Sequence, residues 1–272
     1  MGLRINQNIE AQNAYRNLSV NSSAMSKSLE RLSSGLRINR AADDAAGLSI
    51  SEGLRSQVGG LKVAVRNAQD GVSVVQIAEG ALTETHSILQ RMRDLSLQAA
   101  NEGSQDPQAQ AAANTEYQQL SSELTDIAKN TKFGSQALLD GTYNKDFQVG
   151  ANATETLNVT IANMDAATLG AVGDLTSKAN ANTALTAITT AIGTVSTARA
   201  TLGATQNRLE HKINNLNVAV ENVSASESRI RDTDMASEMV NFTKSQILSQ
   251  AGTAMLAQAN SAPQGVLQLL RG

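Results

Sequence analysis

The residue types that most often carry out catalysis or hold metal ions are scarce in this chain. His86 and His211 are the only histidines, and each follows a glutamate, Glu84 or Glu210, without forming the HExxH pattern of zinc enzymes. The chain has no cysteine, which excludes disulfides and thiolate metal ligands. A metal site would require the fold to bring both histidines together with carboxylates, so the sequence favours two solvated histidines.

Asp43 and Asp44 are adjacent carboxylates, an arrangement that acid–base catalysis can use. No motif of a substrate pocket accompanies them, so we predict that they cap a helix and pair locally with Arg37 or Arg40. A metal-dependent hydrolase remains the competing hypothesis to a structural protein, without a motif in its favour. We predict no catalytic, metal-binding or cofactor-binding residues in this chain.

The composition is that of an extended helical protein. Of the 272 residues, aromatic ones make up 2%, tryptophan is absent, and only two are proline. Aromatic side chains contribute strongly to globular cores, and few prolines permit long helices.

The net charge of -3 gives no indication of nucleic-acid binding. The sequence has no apolar run long enough to span a membrane, and its first residues predict no cleaved signal peptide, which taken alone favours a cytoplasmic protein.

Hydrophobic periodicity predicts long helices in the first half of the chain. We predict one helix over residues 3–33, followed by a hinge or irregular linker at 34–56, where glycines and paired aspartates weaken helix formation. A second helix is predicted from Gln57 to Ala100. A third begins at Asp106 and Pro107, which resemble a cap and a first-turn proline, and ends near Asn130.

The second half of the chain begins with a different pattern. Residues 145–149 and 156–161 alternate apolar and polar side chains, which predicts a β-hairpin near 142–162. Residues 163–178 are predicted to be a loop. Apolar residues then recur at steps of three, four and seven from Leu185 to Ile230, which predicts another long helix, and a last helix begins near Asp234.

Both ends of the chain carry narrow apolar stripes at coiled-coil spacing, so we predict that the first and last helices pair. The apolar surface buried between two helices barely offsets the conformational entropy that the chain loses on folding. Isolated helices are only marginally stable in water. Other copies of the chain should therefore cover these helices, which predicts a self-assembling subunit. The predicted interface residues are Ile9, Leu18, Met25, Leu29, Leu32 and Leu36 at the front, and Met235, Met239, Phe242, Leu248 and Met255 at the back.

Several longer strings then point to a family. The front reads LSSGLRIN at 32–39 and AADDAAGL at 41–48, and the back reads SRIRDTDMA at 228–236 and LAQAN at 256–260. Together these strings closely resemble bacterial flagellin, and the resemblance extends over almost the whole chain. Larger flagellins insert variable outer domains near 163–178, where this chain has a short bridge, so it looks like a minimal flagellin.

The resemblance implies a mainly α fold, a long helical rod with one β-hairpin plus paired N- and C-terminal coiled-coil helices. Residues 1–44 and 234–272 would form a discontinuous inner coiled-coil domain, and residues 45–233 the rod. The implied function is a structural subunit that polymerises into the flagellar filament for motility, and the alternative is a hook–filament junction protein. Neither is an enzyme, and neither needs a cofactor.

The resemblance also implies partners and a location. The chain would be secreted without a cleaved signal into the extracellular filament, where it binds copies of itself. Its other implied partners are the flagellar export chaperone, the filament cap and the hook–filament junction proteins, with no nucleic acid or membrane.

One segment resembles the flagellin stretch that the vertebrate innate flagellin receptor binds. Helical spacing places Arg91, Leu95 and Gln98 on one face. The competing interpretation is that this face packs against the next subunit, and both can hold if the contact is exposed in the monomer. The receptor-binding residues implied by the resemblance are Gln90, Arg91, Leu95, Gln98 and Glu116.

Overall fold

The chain folds mainly into long α-helices, which confirms the predicted fold class. The computed structural model describes residues 7–101, 103 and 106–269, with side chains up to residue 261. The helices in this part of the chain are α1 (Ile9–Ser34), α2 (Ala45–Ala99), α3 (Pro107–Asn130), α4 (Lys178–Arg231) and α5 (Met235–Leu269). The strands are β1 (Lys132–Phe133), β2 (Gln136–Ala137), β3 (Asn144–Gln148) and β4 (Thr156–Thr160).

Two compact units divide the chain, and both boundaries fall inside helices. The terminal unit comprises the described residues within Met1–Ser56 and Asn222–Gly272. It contains α1, α5, the start of α2 and the end of α4. The central unit is Gln57–Glu221, with most of α2 and α4 together with α3 and the strands.

The linker after α1 is shorter than predicted, because α2 begins at Ala45 and the irregular segment covers only residues 35–44. The prediction of an irregular segment to residue 56 is therefore wrong. Asp44 explains the early start, since its Oδ1 accepts a hydrogen bond of 2.8 Å from the Gly47 amide, as a cap does. Gly35 ends α1 in the left-handed conformation with φ at 72°, where glycine has no steric penalty.

The third helix and the hairpin agree with their predictions. The Asp106 carboxylate accepts hydrogen bonds from the amides of Gln108 and Ala109, and α3 begins at Pro107. Strands β3 and β4 pair in antiparallel register, and the alternate residues Leu157 and Val159 are buried while their neighbours are exposed. The ladder of β1 with β2 was not predicted, because two-residue strands are too short to show alternation.

The core of the central unit is built from heptad-spaced apolar residues on α2, α3 and α4, with the hairpin and the loop after it packed against them. On α2, Leu82, Leu89 and Met92 have no exposed surface. Tyr117 and Leu124 of α3 are likewise fully buried. The central unit therefore buries many of its large apolar side chains within one chain, although Ile77, Leu97 and Val172 remain exposed.

Candidate assembly interface

Helices α1 and α5 of the terminal unit pack against each other, which confirms their predicted pairing. The Asn8 amide nitrogen Nδ2 donates to the Ala259 carbonyl at 2.7 Å, and Asn21 Nδ2 donates to the Ser245 carbonyl at 2.6 Å. The later α1 residue, Asn21, thus contacts the earlier α5 residue, Ser245. The two helices are therefore antiparallel.

The seam between these helices is lined mainly by small and polar residues. Its half-buried positions recur at steps of three and four on both helices, so each helix turns one face to the other. Leu18 packs against a glycine, since a Cβ at Gly252 would lie 3.3 Å from Leu18 Cδ1. The half-buried seam residues include Ala11, Ala14, Leu18, Asn21 and Met25 of α1, and Phe242, Ser245, Ser249, Gly252 and Leu256 of α5.

One ion pair lies in the seam. The guanidinium Nη1 of Arg31 is 3.6 Å from the Glu238 carboxylate oxygen Oε2, and their side chains are 28% and 8% exposed. Each residue also suits its helix end, because Arg31 is in the last turn of α1 and Glu238 is in the first turn of α5. The Arg31 Nε is buried and has no hydrogen-bond partner among the described residues.

The predicted interface residues divide into two groups. Leu18, Met25, Leu32 and Phe242 are half-buried at seam spacing, and Leu36 is half-buried in the linker. The remaining six are between 48% and 64% exposed. The sequence prediction merged two helix faces into one stripe. The exposed six are Ile9, Leu29, Met235, Met239, Leu248 and Met255.

Further exposed apolar residues extend this outer face and were not singled out from the sequence. Tyr15, Val20, Val240 and Ile247 are each at least 60% exposed. Val240 and Ile247 are one heptad apart, which was a signal for a second apolar face of α5, but both fall outside the predicted stripes. A shallow groove of about 500 Å³ runs along the outer face of α5, lined by Met239, Val240, Thr243, Lys244, Ile247 and Leu248.

The linker is held against α1 by charged side chains. Lys27 Nζ is 2.7 Å from Asp43 Oδ1, while the backbone amides of Asn39 and Arg40 donate to Asp43 Oδ2. The hydrogen bond with Lys27, followed by that from the Arg40 amide, lowers the pKa of Asp43 to about 2. Asp43 therefore stays charged under acidic conditions that protonate ordinary carboxylates.

The predicted partners of Asp43 and Asp44 need a correction. The Arg40 guanidinium pairs with Glu30, at 2.9 Å, and the Arg37 guanidinium donates to the Ile230 carbonyl. Sequence proximity favoured the arginines, but the turn of the linker brings a lysine from α1 beside Asp43 instead. The capping role predicted for Asp44 is confirmed.

Two residues of the segment that resembles a receptor-binding site come together in the central unit. Arg91 Nε of α2 is 2.7 Å from Glu116 Oε1 of α3, and the two side chains are 55% and 42% exposed. The hydrogen bond from Arg91 lowers the pKa of Glu116. Gln90 and Gln98 are also exposed. These four side chains are accessible in a single chain.

Leu95 differs from the other four residues, because it is 2% exposed and belongs to the core. The prediction that Leu95 shares an accessible face with Arg91 and Gln98 is therefore wrong. Residues four apart lie on one side of a helix, but α2 buries much of its circumference, and the edge of that buried stripe passes between Arg91 and Leu95. The exposed leucine nearby is Leu97, at 44%.

The two histidines lie apart from any metal-binding cluster. The His86 Nε2 is 3.0 Å from the Gln90 amide nitrogen, and His211 is exposed. Across the described residues, no three histidines, aspartates or glutamates are arranged to hold a metal ion. No described helix is both long enough and apolar enough to cross a membrane.

Comparison with known families gives matches at both ends of the chain. Residues 5–144 match the bacterial flagellin N-terminal helical region, and residues 185–270 match the bacterial flagellin C-terminal helical region. A flagellin of Halalkalibacterium halodurans is 53% identical over 271 residues, which cover 98% of this chain and 99% of that protein. A flagellin of Bacillus subtilis is 50% identical over 304 residues, covering 99% and 100%.

Solved structures give a similar result. The crystal structure of Bacillus cereus flagellin is 34% identical with a TM-score of 0.50, and the match covers 56% of this chain and 88% of that one. A putative flagellar hook-associated protein from Vibrio parahaemolyticus is 16% identical with a TM-score of 0.59, covering 70% of this chain and 100% of that one. The second likeness concerns the fold alone.

Proposed function

The chain belongs to the bacterial flagellin family and is a structural subunit of the flagellar filament, and on this premise we propose that the outer faces of α1 and α5 bind other copies of the chain. The observation that carries the proposal is the exposure of their large apolar side chains. Leu248 and Met255 are 49% and 64% exposed, while small residues fill much of the seam between the helices.

Energetics support this interpretation. Fully burying a Leu or Met side chain contributes roughly 1.5–3 kcal/mol, so covering a half-exposed one contributes roughly half of that. The outer face offers many such residues, and contiguous exposed apolar surface marks sites of protein association. The half-buried seam residues of each helix supply the complementary internal contact, with Leu18 and Phe242 as large members.

The arrangement in the filament forms part of the same proposal. Residues 1–44 and 234–272 form the inner coiled-coil layer, and residues 45–233 form the rod outside it. The chain is exported through the flagellar secretion channel to an extracellular position. An export chaperone covers the apolar outer faces before assembly, and the filament cap and hook–filament junction proteins contact the ends of the polymer.

A substitution on the outer face of α5 tests the proposal. Leu248→Asp places a charge in the proposed contact, so we expect the critical concentration for seeded polymerisation to rise at least about tenfold. Leu248→Met is the matched control, since it conserves apolar volume and should polymerise normally. Light scattering and electron microscopy provide the readout. Polymerisation of Leu248→Asp at the wild-type critical concentration would contradict the proposal.

A second function is favoured by the Arg91–Glu116 pair. We propose that the free chain is recognised by the vertebrate innate flagellin receptor through Gln90, Arg91, Gln98 and Glu116. Arginine presents a planar donor fork that few other groups can replace, and interface energy concentrates in such residues. The buried position of Leu95 removes it from the direct contacts.

Arg91→Ala tests the receptor contact. We expect receptor signalling by monomer to fall at least about tenfold, while Arg93→Ala, also exposed on α2, should signal like wild type. Circular dichroism of both variants checks that α2 is intact. Polymerisation assays on the same proteins show whether Arg91 also contacts the next subunit in the filament. Unchanged signalling by Arg91→Ala would remove the receptor proposal and leave the assembly proposal standing.

A further inference from the structure

The methionines of this chain divide sharply between the two units. The chain has seven methionines and no cysteine, so methionine is its only sulfur-containing residue. Met92 and Met164 of the central unit are 0% and 1% exposed. Met235, Met239 and Met255 of α5 are 48%, 50% and 64% exposed. The central unit therefore encloses its methionine side chains, whereas α5 presents three of them to solvent.

Solvent access matters because the methionine thioether can be oxidised. A peroxide transfers one oxygen atom to the sulfur: a sulfur lone pair forms the S–O bond and the O–O bond breaks. The remaining oxygen takes up the proton of the transferred one and leaves as water, so the sulfur is oxidised by two electrons and the peroxide is reduced. The product, methionine sulfoxide, is polar, and the reaction changes a flexible apolar side chain into a polar one.

The surroundings of the exposed methionines on α5 are apolar. Met239 lines the shallow groove on the outer face of α5, together with Val240, Ile247 and Leu248. Met235 precedes Met239 by one helical turn and lies on the same side of the helix. An open groove of this kind admits a small oxidant, and its apolar lining offers few partners for a sulfoxide oxygen.

The consequence of oxidation follows from the proposed assembly interface and rests on it. In the free chain, a sulfoxide at an exposed position is hydrated by water and costs little. In a contact with another copy, the same sulfoxide loses its water, and burying a polar group without a hydrogen-bond partner is unfavourable. Oxidation should therefore weaken the contact between copies while leaving the core of the central unit intact.

We propose that Met235, Met239 and Met255 are oxidation sites through which peroxide prevents free chains from joining the filament. Chains already in the filament are shielded, because neighbouring copies cover the outer face of α5. The modification is reversible, since methionine sulfoxide reductases return the thioether at the expense of two thiols, which become a disulfide. Oxidation thus acts on the subunit before assembly.

Peptide mass spectrometry after limited hydrogen peroxide treatment measures the reactivity of each methionine. In free chains, we expect Met235, Met239 and Met255 to react at least about tenfold faster than Met92 and Met164, because reactivity follows exposure. Similar rates at the buried and the exposed positions overturn the inference. In seeded filaments, the three α5 methionines should react at least about tenfold more slowly than in free chains. Equal rates in both states would place them outside the contact and also overturn it.

Seeded polymerisation of the oxidised chain tests the functional effect. Chains that carry sulfoxides at Met235, Met239 and Met255 should show a critical concentration at least about tenfold above that of untreated chains. Treatment with both sulfoxide reductases and a thiol reductant should restore the original value. A wild-type critical concentration in the triply oxidised chain overturns the inference, and so does a raised one that reduction leaves unchanged.

Leucine variants identify the residues responsible. Met235→Leu, Met239→Leu and Met255→Leu together conserve apolar volume, so this chain should polymerise both before and after peroxide treatment. The matched control is Met25→Leu, at a half-buried position of the seam, which keeps all three sites and should stay sensitive to peroxide. A triple variant that loses polymerisation after peroxide as wild type does would place the sensitive site elsewhere and overturn the inference.

Two further comparisons keep the test decisive. If the triple variant polymerises poorly without peroxide, oxidation and enzymatic reduction of the natural sequence decide the outcome. Leu248→Asp separates the inference from the function on which it rests. Normal polymerisation of Leu248→Asp counts against the proposed assembly contact, whereas failure of Leu248→Asp with normal polymerisation of the triply oxidised chain counts against the oxidation sites alone.

Discussion

The central unit and the α1–α5 pair use similar apolar residues in opposite ways. In the central unit, Leu82, Leu89 and Leu124 have no exposed surface. In the pair, Leu29, Leu248 and Met255 are between 49% and 64% exposed. Three helices and a hairpin can surround a side chain, whereas two helices cover only one face of each other. The central unit therefore encloses a core within one chain, whereas the α1–α5 pair leaves large apolar side chains exposed.

The contrast extends to the polar residues. The seam of the pair contains an ion pair and two asparagine side chains, while the buried polar residues described in the central unit, Thr85, Ser96 and Ser121, are all uncharged. Apolar packing supplies stability, whereas charged groups placed in a seam lose hydration and add little net stability.

Matched leucine truncations give the largest expected difference between the two regions. Leu89→Ala should lower the free energy of unfolding of the central unit by about 2–5 kcal/mol, because it leaves a cavity in a closed core. Leu248→Ala should change the free energy of unfolding of free chains by less than about 1 kcal/mol, since about half of its side chain is already in solvent. Urea denaturation followed by circular dichroism measures both. Equal losses would erase the distinction between the regions.

A helix breaker in α1 should separate the two regions functionally. Leu29→Pro disrupts the helix interior at a cost of about 3 kcal/mol or more, so we expect filament assembly to be lost. The central unit should keep its thermal transition and its resistance to limited proteolysis, while α1 and α5 become easier to cleave. Leu29→Ala is the control that retains the helix. Normal filaments from Leu29→Pro would show that α1 has no structural role.

The Lys27–Asp43 contact, which holds the linker against α1, should persist in acid. The pKa of Asp43, about 2, lies below the usual value of 3.8. A lowered folded-state pKa contributes stability above the usual pKa, and this contribution is lost as the pH falls through about 2. The carboxyl carbon shift of Asp43, measured by NMR against pH, should therefore titrate near 2. Titration near 4, the ordinary value, would mean that Lys27 does not hold it.

Removing the Tyr117 hydroxyl should give the smallest change in the free energy of unfolding. Burial raises the pKa of Tyr117 to about 12, and its buried hydroxyl has no partner among the described residues. Tyr117→Phe removes an uncompensated polar group, so we expect the free energy of unfolding to rise by at most about 1 kcal/mol. Tyr15→Phe, at a 66% exposed position, should change nothing measurable. A clear loss of stability in Tyr117→Phe would reveal a hydrogen-bond partner for the hydroxyl.

Much of the architecture could be predicted from local signals. The helices carry apolar residues at helical steps over many turns, Asp106 and Pro107 mark the start of α3, and the β3–β4 hairpin shows clear alternation. Such signals depend on nearby residues alone. The start of α2 was not predicted, because the low helix propensity of the glycines after Asp44 counted for more than the cap that Asp44 forms. In the structure, the other contacts of this long helix offset that cost in stability.

The sequence by itself determined the family, the helical content and the pairing of the chain ends, because these depend on periodicity and on long specific strings. Only the tertiary structure decided which face of α1 meets α5, since periodicity defines a face without naming its partner. The seam faces carry alanine, serine, asparagine and glycine, which a search for apolar residues passes over. Leu95 and the Arg31–Glu238 pair show the same limit, because burial and charge pairing depend on residues distant in the chain.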